Sequence, residues 1–74
     1  MAKLRIEGAE RDFKKVSHSR LLRERLGVPL PRALDATEGV VAGRPFEVEV
    51  PPGEADAILA ELRALGARAS LVEQ

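Results

Sequence analysis

Few positions in this chain carry side chains suited to chemistry. Histidine occurs once, at His18 in "SHS", which is where nucleophile and base are adjacent in sequence. On a helix, neighbouring residues point about 100° apart, so Ser17 and Ser19 are turned away from the imidazole. His18 also lies one turn before Leu22, on the expected apolar stripe, and reads as a structural histidine of the core. One histidine without cysteine cannot close a zinc site, so neither metal nor cofactor is expected. Glu47 and Glu49 share the outward face of a strand, where such a pair serves as a solvated edge that discourages aggregation. "GVVAG" at 39–43 lacks the Lys-Ser/Thr that completes a phosphate loop. It also lacks the spacing and basic character of an RNA-clamping GXXG turn. No reaction follows from these residues, and the chain is not expected to be an enzyme.

What remains is a surface. If His18, Leu21, Leu22 and Leu26 face a core, then Lys15, Val16, Ser19, Arg20 and Arg23 fall on the opposite side of the same helix. They recur at i, i+1, i+4, i+5 and i+8, a basic stripe around one exposed aliphatic. Arg32 and Leu34 extend it onto the segment that follows. The net charge of zero conceals a matching asymmetry. Residues 1–32 hold nine basic and four acidic side chains, and residues 33–74 hold three and eight. A partner bearing acidic groups would be steered toward the basic half. With two Phe and neither Tyr nor Trp, the chain offers little for stacking bases, so RNA ranks behind a protein partner.

The elements that must hold this surface are short and well punctuated. "KLRIE" alternates, with Leu4 and Ile6 on one face, and predicts a half-buried strand ended by Gly8-Ala9. Asp12 is the expected N-cap of a helix from about Phe13 to Leu26, with Gly27 closing it. Pro29 and Pro31 follow. Proline suits the first position of a helix, where its missing N–H would be unpaired anyway, so a second helix is expected from about Pro31 to Ala42. Ala33, Leu34, Thr37 and Val41 give it helical spacing, Gly39 weakens it and Gly43 closes it. "FEVEV" sends Phe46, Val48 and Val50 inward. Pro51-Pro52-Gly53 then opens a third helix whose stripe is Ala55, Ile58, Leu59 and Leu62, with Glu54 and Asp56 near its positive end. Gly66 stops it, and "ARASLVE" closes the chain as a strand with Ala67, Ala69 and Leu71 on one side.

The resulting order, β-α-α-β-α-β, predicts an α+β fold. It is a two-layer sandwich, with three helices on one face of a three-stranded antiparallel sheet. All 74 residues are assigned to a single domain. A chain of this size buries roughly 60% of the surface its unfolded state exposes, so modest stability is expected. No stretch has the length or composition of a membrane span or signal peptide, which leads to a soluble, cytoplasmic reading.

The pattern "KKV…R..R..LG…L..A.D..E" over 14–38, "PFEV" at 45–48 and "EADAILAELRALGARASL" at 54–71 carry a resemblance. Together with the element order, they resemble the C-terminal domain of the bacterial large-subunit ribosomal stalk protein, the L-seven/L-twelve family. The resemblance implies the same fold and a first-and-second-helix face that recruits translation GTPases. The matching positions are Lys15, Val16, Arg20, Arg23 and Gly27. The chain departs from the family at Ser19, where an aliphatic anchor is usual. Pro29 replaces a glycine, Leu34 replaces a lysine, and the loop before "PFEV" is longer. The family's N-terminal dimerisation segment and hinge have no counterpart here, which suggests a free-standing relative. The Clp protease adaptor shares the fold, and Glu10 and Asp12 are loose counterparts of its acidic loop. The resemblance thus implies a protein-docking module for a translation GTPase or ribosomal factor. A Clp-adaptor-like module and an RNA-binding basic half are the alternatives.

Overall fold

The computed structural model describes residues 2–72. The alternating runs become β1 (Ala2–Ala9), β2 (Phe46–Val50) and β3 (Ala67–Val72), and the periodic runs become α1 (Lys15–Leu26), α2 (Leu30–Val41) and α3 (Ala55–Ala64). One turn of 3-10 helix at Pro52–Glu54 leads into α3. The sheet is antiparallel with order β2-β1-β3, so the first strand of the chain is central. Its register places Leu4 opposite Val48 and Leu71, and Ile6 opposite Phe46 and Ala69. Directly opposed residues share a face, so this register gathers the apolar side chains beneath the helices. The other face opposes Lys3 to Glu49 and Arg5 to Glu47, and Arg5 reaches the Glu47 carboxylate at 2.8 Å.

The α+β sandwich holds as expected. Leu4, Ile6, Leu22, Val40, Val50, Ile58 and Leu62 are fully buried between the layers. The stripe Ala55, Ile58, Leu59 and Leu62 lies in the core as its spacing predicts. Packing joins α2 to β1 and β2, α3 to β1 and β3, and α1 to α2. Arg25 ties α1 to α3 through Glu61 and, at 3.7 Å, to Glu54 of the turn before it.

Several local expectations are corrected. Gly8-Ala9 does not end β1. A bulge between Ile6 and Gly8 lets pairing continue to Ala9, with Gly8 opposite Arg68. Asp12 does not cap α1, which begins at Lys15 rather than Phe13; Lys14 occupies the cap position without a side-chain bond. The reason is a long-range tether. The Glu10 N–H donates to the Gly66 carbonyl at 2.7 Å and the Lys14 N–H to the Leu65 carbonyl at 2.9 Å, which holds residues 10–14 out of helix.

The second helix begins one residue earlier than expected, at Leu30, and ends one earlier, at Val41; it passes through a buried Gly39. Its buried side is Ala33, Ala36, Thr37, Gly39 and Val40, whereas Leu34 and Val41 are exposed. Small residues face inward because α2 packs against the sheet and α1 together. On α1, Leu26 is half-buried and Ser19, expected outside, is buried because α2 covers that flank. Leu71 shares the inner face with Leu4 but is exposed on an edge strand. The expected end of β3 at Glu73 lies outside the described residues.

The join between α1 and α2 is ordered by glycine and proline. Gly27 adopts φ 66°, a left-handed conformation open to glycine at little cost. The N–H groups of Gly27 and Val28 both donate to the Leu22 carbonyl, and Val28 is buried beneath the turn. Pro29 then holds the extended entry to α2, with Pro31 in its first turn.

Candidate functional site

Because α1 and α2 form an antiparallel hairpin, the start of α1 lies beside the end of α2. A shallow groove of about 310 Å³ runs along this seam, lined by Lys15, Val16, Ser19, Leu34, Thr37 and Glu38. Val16 is 72% exposed and Leu34 50%, so two large aliphatic side chains stand in solvent on its walls. Lys15 and Glu38 bridge it at 3.5 Å. Leu30 and Val41, 45% and 47% exposed, fall on the same stripe of α2 as Leu34 and Thr37. At 1.5 Å per residue this aliphatic line is about 16 Å long. Thr37, between Leu34 and Val41, is buried, so the exposed aliphatics that share the groove are Val16 and Leu34, with Leu30 and Val41 toward the ends of α2.

The floor of the groove is polar and internally satisfied. The Ser19 hydroxyl donates to the Val16 carbonyl at 3.1 Å and the Thr37 hydroxyl to the Ala33 carbonyl at 2.8 Å. Having spent its proton, the Thr37 oxygen accepts from His18 Nδ1 at 2.8 Å, a bond that ties α1 to α2. This assigns the proton of the neutral imidazole to Nδ1 and leaves Nε2 a bare lone pair, buried without a partner. The ring is fully buried, with the Phe13 ring at 5.0 Å. Desolvation lowers its pKa from 6.5 to about 4. Ser19 turns to the Val16 carbonyl and His18 turns inward to Thr37, so these two do not pair as nucleophile and base.

The remaining residues expected at this surface divide among neighbouring depressions. Arg20 lines a groove between α1 and α3 with Ser17, Leu21, Glu24 and Glu61. Gly27, Pro29 and Arg32 line another, where the helix join flanks Phe46–Glu49 of β2. Arg23 is exposed on α1. Thus Lys15, Val16, Ser19 and Leu34 meet in one groove, while Arg20, Arg23, Gly27, Pro29 and Arg32 lie outside it. Arg20, Arg23 and Arg32 form no ion pair among the described residues, in contrast to Lys3, Arg5, Lys15, Arg25 and Arg68.

The sequence reading missed Leu30, Thr37, Glu38 and Val41 as parts of this surface. Their signal is the recurrence of Leu30, Leu34, Thr37 and Val41 on one helical stripe, which from spacing alone is as compatible with a core as with a binding face. Glu10, the loose counterpart of an adaptor's acidic loop, lies 3.9 Å from Arg68. Among the described residues no group of three histidine, cysteine or carboxylate side chains is placed to hold a metal, and no helix is long and apolar enough to cross a membrane. No protein-family model matches the chain, and no curated protein matches it.

Proposed function

We propose that the α1–α2 face docks a protein partner, and that the partner is a translation GTPase or another ribosome-associated factor. The observation that carries this reading is the groove in which exposed Val16 and Leu34 meet, with Arg20 and Arg23 on the same helix as Val16 and without an ion-pair partner among the described residues. The aliphatics supply short-range contact, and the arginines attract an acidic surface before contact is made. An apolar line this short, on a surface otherwise polar, suits a weak and rapidly exchanging complex. The choice of partner rests on the resemblance of the sequence to the stalk domain.

RNA is the second reading, favoured by the cations Arg11, Lys14, Arg20, Arg23, Arg32 and Arg44, which have no carboxylate partner among the described residues. The side chains exposed among them are aliphatic rather than aromatic, and the two phenylalanines are half-buried, so base stacking is poorly served.

Titration calorimetry against a purified elongation GTPase separates the contributions. The double substitution Arg20→Glu and Arg23→Glu is expected to weaken binding at least tenfold at about 50 mM salt and by much less at about 300 mM. Val16→Ser is expected to weaken it severalfold at both, because the lost contact is apolar and no charge is added. Equal affinity of both variants and the wild type would remove the face from the interaction. Tight RNA binding lost steeply with salt would replace the protein reading with the RNA one.

A further inference from the structure

The two outer strands of the sheet are treated differently. On β3, the Arg63 side chain donates from Nε and Nη2 to the Ala69 carbonyl at 3.2 and 3.0 Å, which occupies an acceptor of that edge. On β2, which pairs only with β1, no hydrogen bond from a described residue reaches the outward backbone groups of Phe46–Val50. Glu47 and Glu49 discourage pairing with a like strand, but the unpaired backbone groups of this edge remain a template for a strand of complementary charge. This open edge also has a wall. Leu26, Val28, Pro29 and Arg32 of the helix join face Phe46 and Val48 across a groove of about 360 Å³.

We infer that β2 and the helix join bind an extended segment of a partner protein as a fourth strand, and that this segment alternates basic with apolar residues. The alternation follows from the register. Glu47 and Glu49 are exposed on the open face; Glu47 is shared by Arg5 at 2.8 Å and Lys3 at 3.8 Å, whereas Glu49 has no ion-pair partner among the described residues and carries the preference. Residues of an added strand opposite these carboxylates share their face, where lysine or arginine is favoured and a carboxylate is repelled. The intervening side chains turn to the groove side, against the half-buried Phe46 and Val48. Main-chain hydrogen bonds give such a complex its affinity and the alternate side chains its selectivity.

A second copy of this chain is the poorer occupant. Antiparallel pairing of "FEVEV" with itself, centred on Val48, sets Glu47 of each copy against Glu49 of the other, and opposed like charges destabilise a sheet. The inference uses a different mode of contact from the α1–α2 docking face, and residues 46–50 of β2 distinguish the two.

The test is a titration of the isotope-labelled full chain with three short end-blocked peptides, followed by amide NMR. One peptide alternates Lys and Val, one alternates Glu and Val, and the third is the Lys–Val peptide N-methylated at alternate residues. The Lys–Val peptide is expected to shift the amides of residues 46–50 and 26–32. The N-methylated peptide should bind at least about tenfold more weakly, since its strand hydrogen bonds are lost. Glu49→Lys should weaken the Lys–Val peptide about threefold and strengthen the Glu–Val peptide by a similar factor. Equal binding of the Lys–Val and Glu–Val peptides overturns the inference, as does insensitivity to N-methylation. So do shifts confined to residues 15–41, or concentration-dependent shifts at 46–50 without peptide, which would identify a second copy as the occupant.

Discussion

Gly66→Ala is expected to destabilise the fold by about 3 kcal/mol or more, a large share of the stability available to a domain of this size. Gly66 adopts φ 91°, where a side chain is strained in any surroundings. Its surroundings are also closed. A Cβ there would stand 2.9 Å from Phe13 Cα and 3.2 Å from Phe13 N, both backbone atoms of another segment. Relief requires the 10–14 segment to move, and that segment is held by the Glu10 to Gly66 and Lys14 to Leu65 hydrogen bonds. Phe13 would carry the disturbance to His18, its ring neighbour. Gly27→Ala is the comparison. Its φ is 66°, but nothing lies within 4 Å of the added Cβ, so the conformational term alone, about 1 kcal/mol, is expected. Urea unfolding of both variants measures the difference. Equal losses would show that the approach of Gly66 to Phe13 is unimportant.

Acidification is expected to remove about 3 kcal/mol of stability through His18 alone. In the native state its pKa is lowered from 6.5 to about 4 by burial, and its Nε2 lone pair has no partner to stabilise an added proton. The unfolded chain therefore takes up a proton first as pH falls. The native advantage is complete above about pH 6.5 and is lost as pH drops from there through 4, the pKa of the folded form. His18→Leu removes this titration while filling much of the same volume, so its stability should fall less over that interval than the wild type's. Urea midpoints from pH 7 to 4, combined with the imidazole shifts of the folded protein, measure both. Parallel pH profiles for the two proteins, or an imidazole titrating near 6.5 in the native state, would contradict the assignment.

Much of this fold was legible because its signals are local. The period-two runs at 3–7 and 46–50, the helical stripe at 55–62 and the glycine after Leu26 each specify backbone geometry within a few residues. The failures arise where distant segments decide. Asp12 has the chemistry of a cap, yet its segment is pinned to the turn after α3. Ser19 looks like a surface residue until α2 covers it. On α2, helical spacing alone does not choose the inward face: close packing against two neighbours admits Ala33, Ala36 and Gly39 and leaves the larger Leu34 and Val41 in solvent. The candidate surface was legible in part for the same reason. Lys15, Val16, Arg20 and Arg23 follow from one helix's periodicity, whereas Leu30, Thr37, Glu38 and Val41 join them only through the hairpin.

Exposure of those aliphatics also clarifies Leu34, one of the positions where the chain departs from the stalk pattern. In place of a cation it adds apolar contact to the groove opposite Val16. Such a surface is expected to retain electrostatic attraction while relying more on desolvation, so its complexes should resist salt better than those of a Leu34→Lys variant.

The most direct test is an NMR titration of the labelled chain with an elongation GTPase at low and moderate salt. The docking reading predicts shifts concentrated on Lys15, Val16, Ser19, Arg20 and Arg23 of α1 and on Leu30, Leu34 and Val41 of α2, weakening but persisting as salt rises. No shift in residues 15–41 at a GTPase concentration that saturates a stalk domain would contradict it.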